Sequence, residues 1–267
     1  MARKFKILIR RLLKLSRLLN PVFISRVLRS KKSLEYSLRE TNPVRRDLYS
    51  YFDNKFYVGR PDYVRKHRQY FEIENRGCGE SAFHMAWFFT LKHFRPKNLL
   101  EIGVYRGQVI SLWQLIGREL ELEVDIVGIS PFDGAGDSVS NYVEIDYWND
   151  TLKNFGYFDL RVPTLLKALS SDEKAKSVIN SKSWDLIYID GSHDYEDVLH
   201  DYFLARKNLS PGGILCLDDS SLFLDFRIDG KYRGHPGPSE VLIELAMKDL
   251  RYLFTVGHNN FFQNTAL

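Results

Sequence analysis

The chain is expected to fold as an α/β protein around a doubly wound, mostly parallel seven-stranded sheet, with a terminal antiparallel hairpin and an N-terminal helical extension. Three observations carry this. From residue 98 onward, apolar strand-like runs alternate with helical patterns, as parallel βαβ units do. The last two strand-like pieces follow one another across a short polar link, which suits a hairpin and leaves no room for a crossover. With 267 residues, 44% of them hydrophobic, the chain can bury a sizeable core.

Charge divides the chain. The formal net charge is +4, yet residues 1–33 hold eleven Lys and Arg and no Asp or Glu, leaving 27 basic against 34 acidic residues in the remainder. Within the basic part, "FKILIRRLLKLSRLLNPVFISRVL" alternates apolar and basic residues at roughly helical spacing. Arg10, Arg11, Lys14 and Arg17 interrupt the apolar run that a membrane span requires, and no clear secretory signal is present. Residues 1–40 are therefore expected to form a basic amphipathic extension. Such a helix either lies on an anionic membrane surface or packs its Ile and Leu face on the protein itself. No basic stripe or aromatic RNA-binding motif elsewhere points to nucleic acid. Cys78 and Cys216 are too far apart for a zinc ribbon or a disulfide framework, which suggests a reducing, cytoplasmic setting. Any membrane association would then be peripheral and at the inner face.

Residues 41–95 are expected to form a helical cap and residues 96–267 the core. The charged, Tyr- and Arg-rich stretch up to about residue 75 reads as short helices and loops, and "GESAFHMAWFFTLKHF" as a helix ended by "RPK". In the core, "NLLEIGV" is a strand, "YRGQVISLWQLIGREL" a helix and "VDIVGIS" a strand. The alternation weakens through "DLRVPTLLKAL". It returns with the strand "WDLIYID", the helix "YEDVLHDYFLARKNL", the turn "SPGG" and the strand "ILCLDDS". A Gly- and Pro-rich loop containing Tyr232, Arg233 and His235 precedes the helix "SEVLIELAMKDL"; it is a candidate substrate lid, although its composition predicts only flexibility. "YLFTVGH" and "FFQNTA" close the chain around "NN". Trp148 and Trp184 read as packing residues.

Ligands of open parallel sheets bind at the carboxyl ends of the strands, and the polar clusters of this sequence fall there. Glu101 ends the first strand, with Gly103 and Gly107 in the turn that follows. Glycines allow close backbone approach, and the next helix offers free N–H groups. The spacing is not G-x-G-x-x-G, so a dinucleotide and a nicotinamide dehydrogenase fit poorly. An acidic residue before the turn suits a positively charged ligand. At this point the sequence resembles the class I S-adenosylmethionine-dependent methyltransferases, whose principal cofactor motif is E/D-x-G-x-x-x-G within a Rossmann-like sheet. That family usually places an acidic residue for the ribose at the end of the second strand. Here Ser130 holds that position and Asp133 follows three residues later, either as its substitute or as a solvated loop aspartate. Ser170, with Ser171 and Asp172, is a candidate for the adenine region.

Asp190 ends the strand Leu186–Ile189, and Asp218 and Asp219 end the strand Ile214–Leu217. A spacing of 28 residues accommodates a helical crossover, so the strands can be parallel neighbours. Three close carboxylates repel one another unless a cation sits among them, and oxygen-only ligands favour Mg²⁺ or another hard divalent ion. Each aspartate alone would equally serve as a turn cap, and His193 as a turn histidine bonded to Asp194 or Glu196. The segment "IDGSHDYE" with the later acidic pair is similar to the metal-dependent sugar O-methyltransferases of macrolide biosynthesis. The resemblance covers residues 77–262 and implies metal ligation by Asp190, Asp218 and Asp219 with His193 as general base. Relatives that place an aspartate base two residues after the first ligand have Ser192 as their counterpart here. The implied activity is methyl transfer to a hydroxyl of a sugar or glycoconjugate. A catechol-like phenol acceptor, or a non-catalytic α/β module recruited to a membrane by its tail, are the alternatives, and a homo-oligomer is compatible with all three.

Overall fold

The computed structural model describes residues 47–73, 75–134, 139, 143–229 and 232–266, all within one compact unit, Arg45–Leu267. The expected basic extension, and residues 41–46 of the expected cap, lie outside the described residues.

Three helices come first: α1 (Tyr49–Val58), α2 (Asp62–Ile73) and α3 (Ser81–Phe94). In α2, Val64, His67 and Phe71 form one buried stripe at helical spacing. In α3 every residue from Ala82 to Trp87 is buried, as expected of a helix that is apolar on most sides. The core then alternates β1 (Asn98–Ile102), α4 (Gln108–Glu119), β2 (Asp125–Ser130), α5 (Tyr147–Tyr157), β3 (Thr164–Lys167), α6 (Glu173–Ile179), β4 (Trp184–Ile189), α7 (Tyr195–Asn208) and β5 (Leu209–Leu217). Helix α8 (Pro236–Val241) runs into a π turn, Leu242–Ala246, and a last turn, Met247–Asp249, before β6 (Arg251–Val256) and β7 (Asn259–Gln263).

The sheet has seven strands in the order β3-β2-β1-β4-β5-β7-β6, with β7 antiparallel to both of its neighbours and the other pairings parallel. The chain winds outward from β1 to β3, then returns to β4 and winds the other way. Its switch point therefore lies between β1 and β4, where ligands of such sheets bind.

Four local readings are corrected. "SPGG" is not a separate turn: Leu209 already pairs with Trp184, and the register shift before Leu186 pairs with Ile214 absorbs Ser210–Gly213 as an irregularity within β5. Gly212 there has φ 77 and donates its N–H to Asn264 O at 2.8 Å. "NN" is not the hairpin turn. Asn259 and Asn260 pair with Val256 and Thr255, so the turn is Gly257–His258, with Gly257 at φ 61. The last helix begins at Pro236, whose fixed φ suits a first turn. Helices α5 and α6 went unrecognised, because loops flank them and the strand between, β3, is only four residues long at the sheet edge.

Side-chain alternation gives the sheet two cores. Leu100, Ile102, Ile187, Ile189, Leu215 and Leu217 share one buried cluster with Val198, Tyr202, Val241 and Leu242 from the helices after β4 and β5. On the opposite face Trp87 of α3 meets Trp113, Tyr188 and Phe261 edge to face, with ring centroids 5.2, 5.0 and 5.1 Å apart. Each contact of this kind adds about 0.5–1.5 kcal/mol beyond the area it buries. This aromatic cluster fixes α3 beside the carboxyl ends of the central strands. Trp184 is a packing residue as expected, buried with its indole N–H donating to Ile179 O, whereas Trp148 is half-buried against Phe132.

Candidate active site

Strand register gathers the acidic groups. Glu101 is level with Tyr188, and Tyr188 with Cys216. Two residues further along the same face come Asp190 on β4 and Asp218 on β5, because the pleat repeats every second residue. Tyr188 joins the rows by donating its hydroxyl to Asp218 Oδ2 at 2.8 Å.

At the cofactor end, Glu101 is 3% exposed, and burial pushes its carboxyl up to about 8, only partly offset by a hydrogen bond from the Ile110 backbone N–H. Its Oε2 has no hydrogen-bond partner among the described residues. A buried carboxylate with an open oxygen suits a cationic ligand. Gly103, at φ 101, donates its N–H to Ile129 O at 2.9 Å. A Cβ on Gly103 would lie 2.0 Å from the Asp190 carbonyl oxygen, so the first turn touches the backbone of the metal-candidate strand end. Gly107 plays another part. It caps α4 at φ 73 and packs against Thr151 without lining the cavity described below, so it positions the helix N-terminus behind the ligand space.

At the chemical end the acidic pair is densely bonded. Asp218 Oδ1 accepts from His258 Nδ1 at 2.8 Å. Asp219 Oδ2 lies 2.8 Å from His193 Nε2 and accepts the Tyr232 hydroxyl at 3.1 Å. Burial raises the Asp219 carboxyl, but the hydrogen bond from His193 and the neighbouring His258 imidazole outweigh it and hold the group below the usual carboxylate range. Burial disfavours the charged form of His258, yet the charges of Asp218 and Asp219 carry its imidazole up to about 10. Burial, then the charge and hydrogen bond of Asp218, push Asp190 far above an ordinary carboxyl. The His193 and His235 rings lie against each other with centroids 4.2 Å apart and planes tilted by 40°.

The expected lid is anchored next to this cluster. The His235 N–H donates to Asp219 O at 2.8 Å, the Ser221 N–H to Arg233 O at 2.9 Å, and Gly234 bridges Ser220. A Cβ on Gly234 would lie 1.9 Å from Asp219 O. Composition predicted only flexibility; backbone pairing with the end of β5 holds residues 233–235 in place.

One cavity of about 700 Å³ spans both ends. Glu101, Gly103, Ser130, Asp133, Ser170, Ser171, Asp190, His193, Asp218 and Asp219 all line it. Ser130 is 8% exposed, while Asp133 is exposed. Asp172 is not part of its wall; its carboxylate accepts the Leu169 N–H and caps the loop before α6. Ser170 hydrogen-bonds the buried carboxyl of Asp201. A separate space of about 10 Å³, the size of one water or ion, lies among Ile189, Asp190, His193, Asp218 and Asp219.

Sequence reasoning missed much of the cavity wall, including three polar side chains that shape the site. Gln108 accepts the Gly79 N–H at 2.9 Å and fastens the loop before α3 over the cofactor turn. Asp201 faces the cavity from α7, where it reads as one more helix-surface acid. His258 stands 40 residues after Asp218. Its one signal was topological: β7 runs antiparallel to β5, so the residues just before β7 lie at the carboxyl end of β5.

Fold and site together give a Rossmann-like sheet with an acidic residue and a glycine turn at its switch point. Residues 100–220 match the family model described as a methyltransferase domain. An uncharacterized protein, R132, of Acanthamoeba polyphaga mimivirus is 26% identical over 132 residues, 48% of this chain and about half (52%) of that relative's length. Among solved structures, the S-adenosylhomocysteine-bound methyltransferase PaMTH1 of Podospora anserina superposes with a TM-score of 0.56 at 16% identity, covering 80% of this chain and 92% of that one. The O-methyltransferase TomG of Streptomyces achromogenes, in complex with S-adenosylmethionine, gives 0.52 at 14% identity, with coverage of 82% and 96%. An S-adenosylhomocysteine complex of the Bacillus cereus O-methyltransferase gives 0.51 at 15% identity, covering 77% and 91%. These likenesses establish the fold. Residues 100–220 are accordingly similar to a methyltransferase domain. Among the described residues, no helix is long and apolar enough to cross a membrane.

Proposed function

We propose that this chain transfers the methyl group of S-adenosylmethionine to a hydroxyl oxygen of a sugar or glycoconjugate, with His193 as general base and a divalent cation held by Asp190, Asp218 and Asp219. The observation that carries this reading is the convergence of those four side chains at one end of a cavity whose other end holds Glu101 and the glycine turn.

The residues fit a cation. Asp218 and Asp219 have carboxylate oxygens close enough to share one ion, Asp190 lies beside Asp218, and Asp219 Oδ1 is buried without a well-aligned donor. Bound there, a divalent ion supplies the charge that acidifies an acceptor hydroxyl. The chain's own residues do the rest. Asp219 stays ionised and accepts Nε2–H of His193, which puts the basic lone pair of the ring on Nδ1 and fixes the ring's orientation. His193 takes the hydroxyl proton as the acceptor oxygen bonds the methyl carbon. The C–S bond breaks, its electron pair returns to sulfur, and S-adenosylhomocysteine leaves as a neutral thioether. Glu101 and the backbone at Gly103 hold the cofactor end, and the anchored segment Tyr232–His235 bounds the acceptor end.

Calorimetric titration of S-adenosylmethionine, followed by a methyl-transfer screen of vicinal-diol sugars, tests the proposal. Turnover that survives both Asp190→Ala and His193→Ala would sink it. The aromatic side chains of Phe83, Trp87 and Tyr232 in the cavity wall support a second acceptor class, a catechol-like phenol. A phenol ionises with less help, so its methylation should tolerate loss of His193 better than that of a sugar alcohol.

A further inference from the structure

We infer that His258 is a nitrogen ligand of the cation site, and that the site therefore takes a first-row transition-metal divalent ion such as Fe²⁺ or Mn²⁺ in preference to Mg²⁺. This rests on the reading that the acidic cluster holds a divalent cation.

His258 Nδ1 lies 2.8 Å from Asp218 Oδ1 and 2.7 Å from Asp219 Oδ1. The three atoms lie close enough to bind one ion together. A single N–H cannot serve both oxygens. It is directed at Asp218, which leaves Asp219 Oδ1 as a buried carboxylate oxygen without an aligned donor, in a residue 9% exposed. One ion in place of that proton would satisfy nitrogen and both oxygens at once.

The ring is also built in as a fixed ligand. Phe83 packs edge-on against it at 4.8 Å and Tyr232 at 5.1 Å. Its backbone carbonyl accepts the Ser220 N–H at 3.0 Å, joining the hairpin turn to the strand end that carries the acidic pair. Asp47 Oδ1 accepts the neighbouring Gly257 N–H at 2.9 Å. A donor held from three sides gives up little freedom on binding an ion.

Donor chemistry then sets the ion. Mg²⁺ takes oxygen ligands and water, whereas imidazole suits Fe²⁺ or Zn²⁺, and Mn²⁺, at home among carboxylates, lies above Mg²⁺ in its tolerance of a nitrogen ligand. His193, Asp219 and His235 form a neighbouring group of similar spacing, but Nε2 of His193 is committed to Asp219 Oδ2.

The test is electron spin-echo spectroscopy of the full-length protein loaded with Mn²⁺. Directly bound ¹⁴N modulation is expected in the wild type, replaced by a ¹⁵N pattern after histidine labelling. It should be retained in His235→Gln and lost in His258→Gln, with Mn²⁺ affinity falling about tenfold or more in the latter. Calorimetric competition should show Mn²⁺ displacing Mg²⁺. Bound Mn²⁺ without nitrogen modulation would overturn the inference and leave an oxygen-only site standing. Modulation that persists in folded His258→Gln would overturn it in favour of another histidine. Failure of the wild type to bind either ion would sink the cation reading itself.

Discussion

His193 Nε2 lies 2.8 Å from Asp219 Oδ2, so the candidate base is oriented by a residue of the acidic pair that follows the next strand. If this pair acts as a unit, His193→Gln and Asp219→Asn should each lower kcat by about 10²–10⁴-fold. The double variant should be little worse than either alone. Cofactor affinity, measured separately by calorimetry, should stay near that of the wild type. Multiplicative losses would mean that the two residues do separate jobs.

Glu101 links stability to ligand binding. Its carboxyl is raised from 4.5 to about 8 in the folded protein, so its contribution to stability is complete below 4.5 and is lost as pH rises through about 8. Glu101→Gln removes that loss. The ligand-free variant should melt above the wild type by a margin that grows from pH 5 to pH 8, at about 2–4 °C per kcal/mol, and should bind S-adenosylmethionine more weakly. A positively charged ligand favours the ionised form, so wild-type binding near pH 7 should release protons, seen as a buffer-dependent calorimetric enthalpy.

Gly234 combines φ 102 with a Cβ position 1.9 Å from Asp219 O, while Gly212 has φ 77 and open space around it. Gly234→Ala should therefore destabilise by about 1–3 kcal/mol and reduce turnover by displacing Asp219. Gly212→Ala carries only the backbone cost and should leave turnover unchanged. Equal effects of the two in chemical denaturation and activity assays would show that the approach of Gly234 to Asp219 is unimportant.

Ser130 and Asp133 are the two proposed contacts of the cofactor ribose. Ser130 is buried, with Oγ 3.4 Å from the Phe132 N–H, whereas Asp133 lines the cavity from an exposed position and its side chain is a carboxylate, the group that accepts from two vicinal hydroxyls. Asp133→Asn should weaken S-adenosylmethionine binding about tenfold, and Ser130→Ala should do so less. The reverse order would return the role to the strand end.

The basic segment, residues 1–33, is proposed to bring the enzyme to an anionic membrane surface, where a lipid-linked glycan acceptor would be found. Replacing Arg10, Arg11, Lys14 and Arg17 by Gln in the full chain should abolish flotation with anionic liposomes, at about 1 kcal/mol per lost charge, and leave cofactor binding intact. Flotation that survives the substitutions would remove the role.

Much of the fold was legible because the alternation from residue 98 onward reports which side chains must be buried on both faces of a parallel sheet. Helices α5 and α6 were less legible. Their capping residues are separated from short, half-exposed β3, so neither hydrophobic periodicity nor strand spacing marks them. At the site, Glu101, Asp190, Asp218 and Asp219 could be found because each lies within two residues of a strand end. Gly107 was found too, but its role differed, since a glycine turn does not say which glycine faces the ligand.

The sequence by itself determined the alternation of strands with helices around β1, β2, β4 and β5, the acidic residues at the strand ends and the separation of a basic N-terminus from an acidic body. These are properties of local pattern and of charge counted along the chain. Only the tertiary structure decided that His258 meets the acidic pair, that Tyr232–His235 is tied to the end of β5, and that Asp190 shares a backbone contact with Gly103. Those relationships join residues tens of positions apart through strand register and packing, and no local pattern encodes a distance between them.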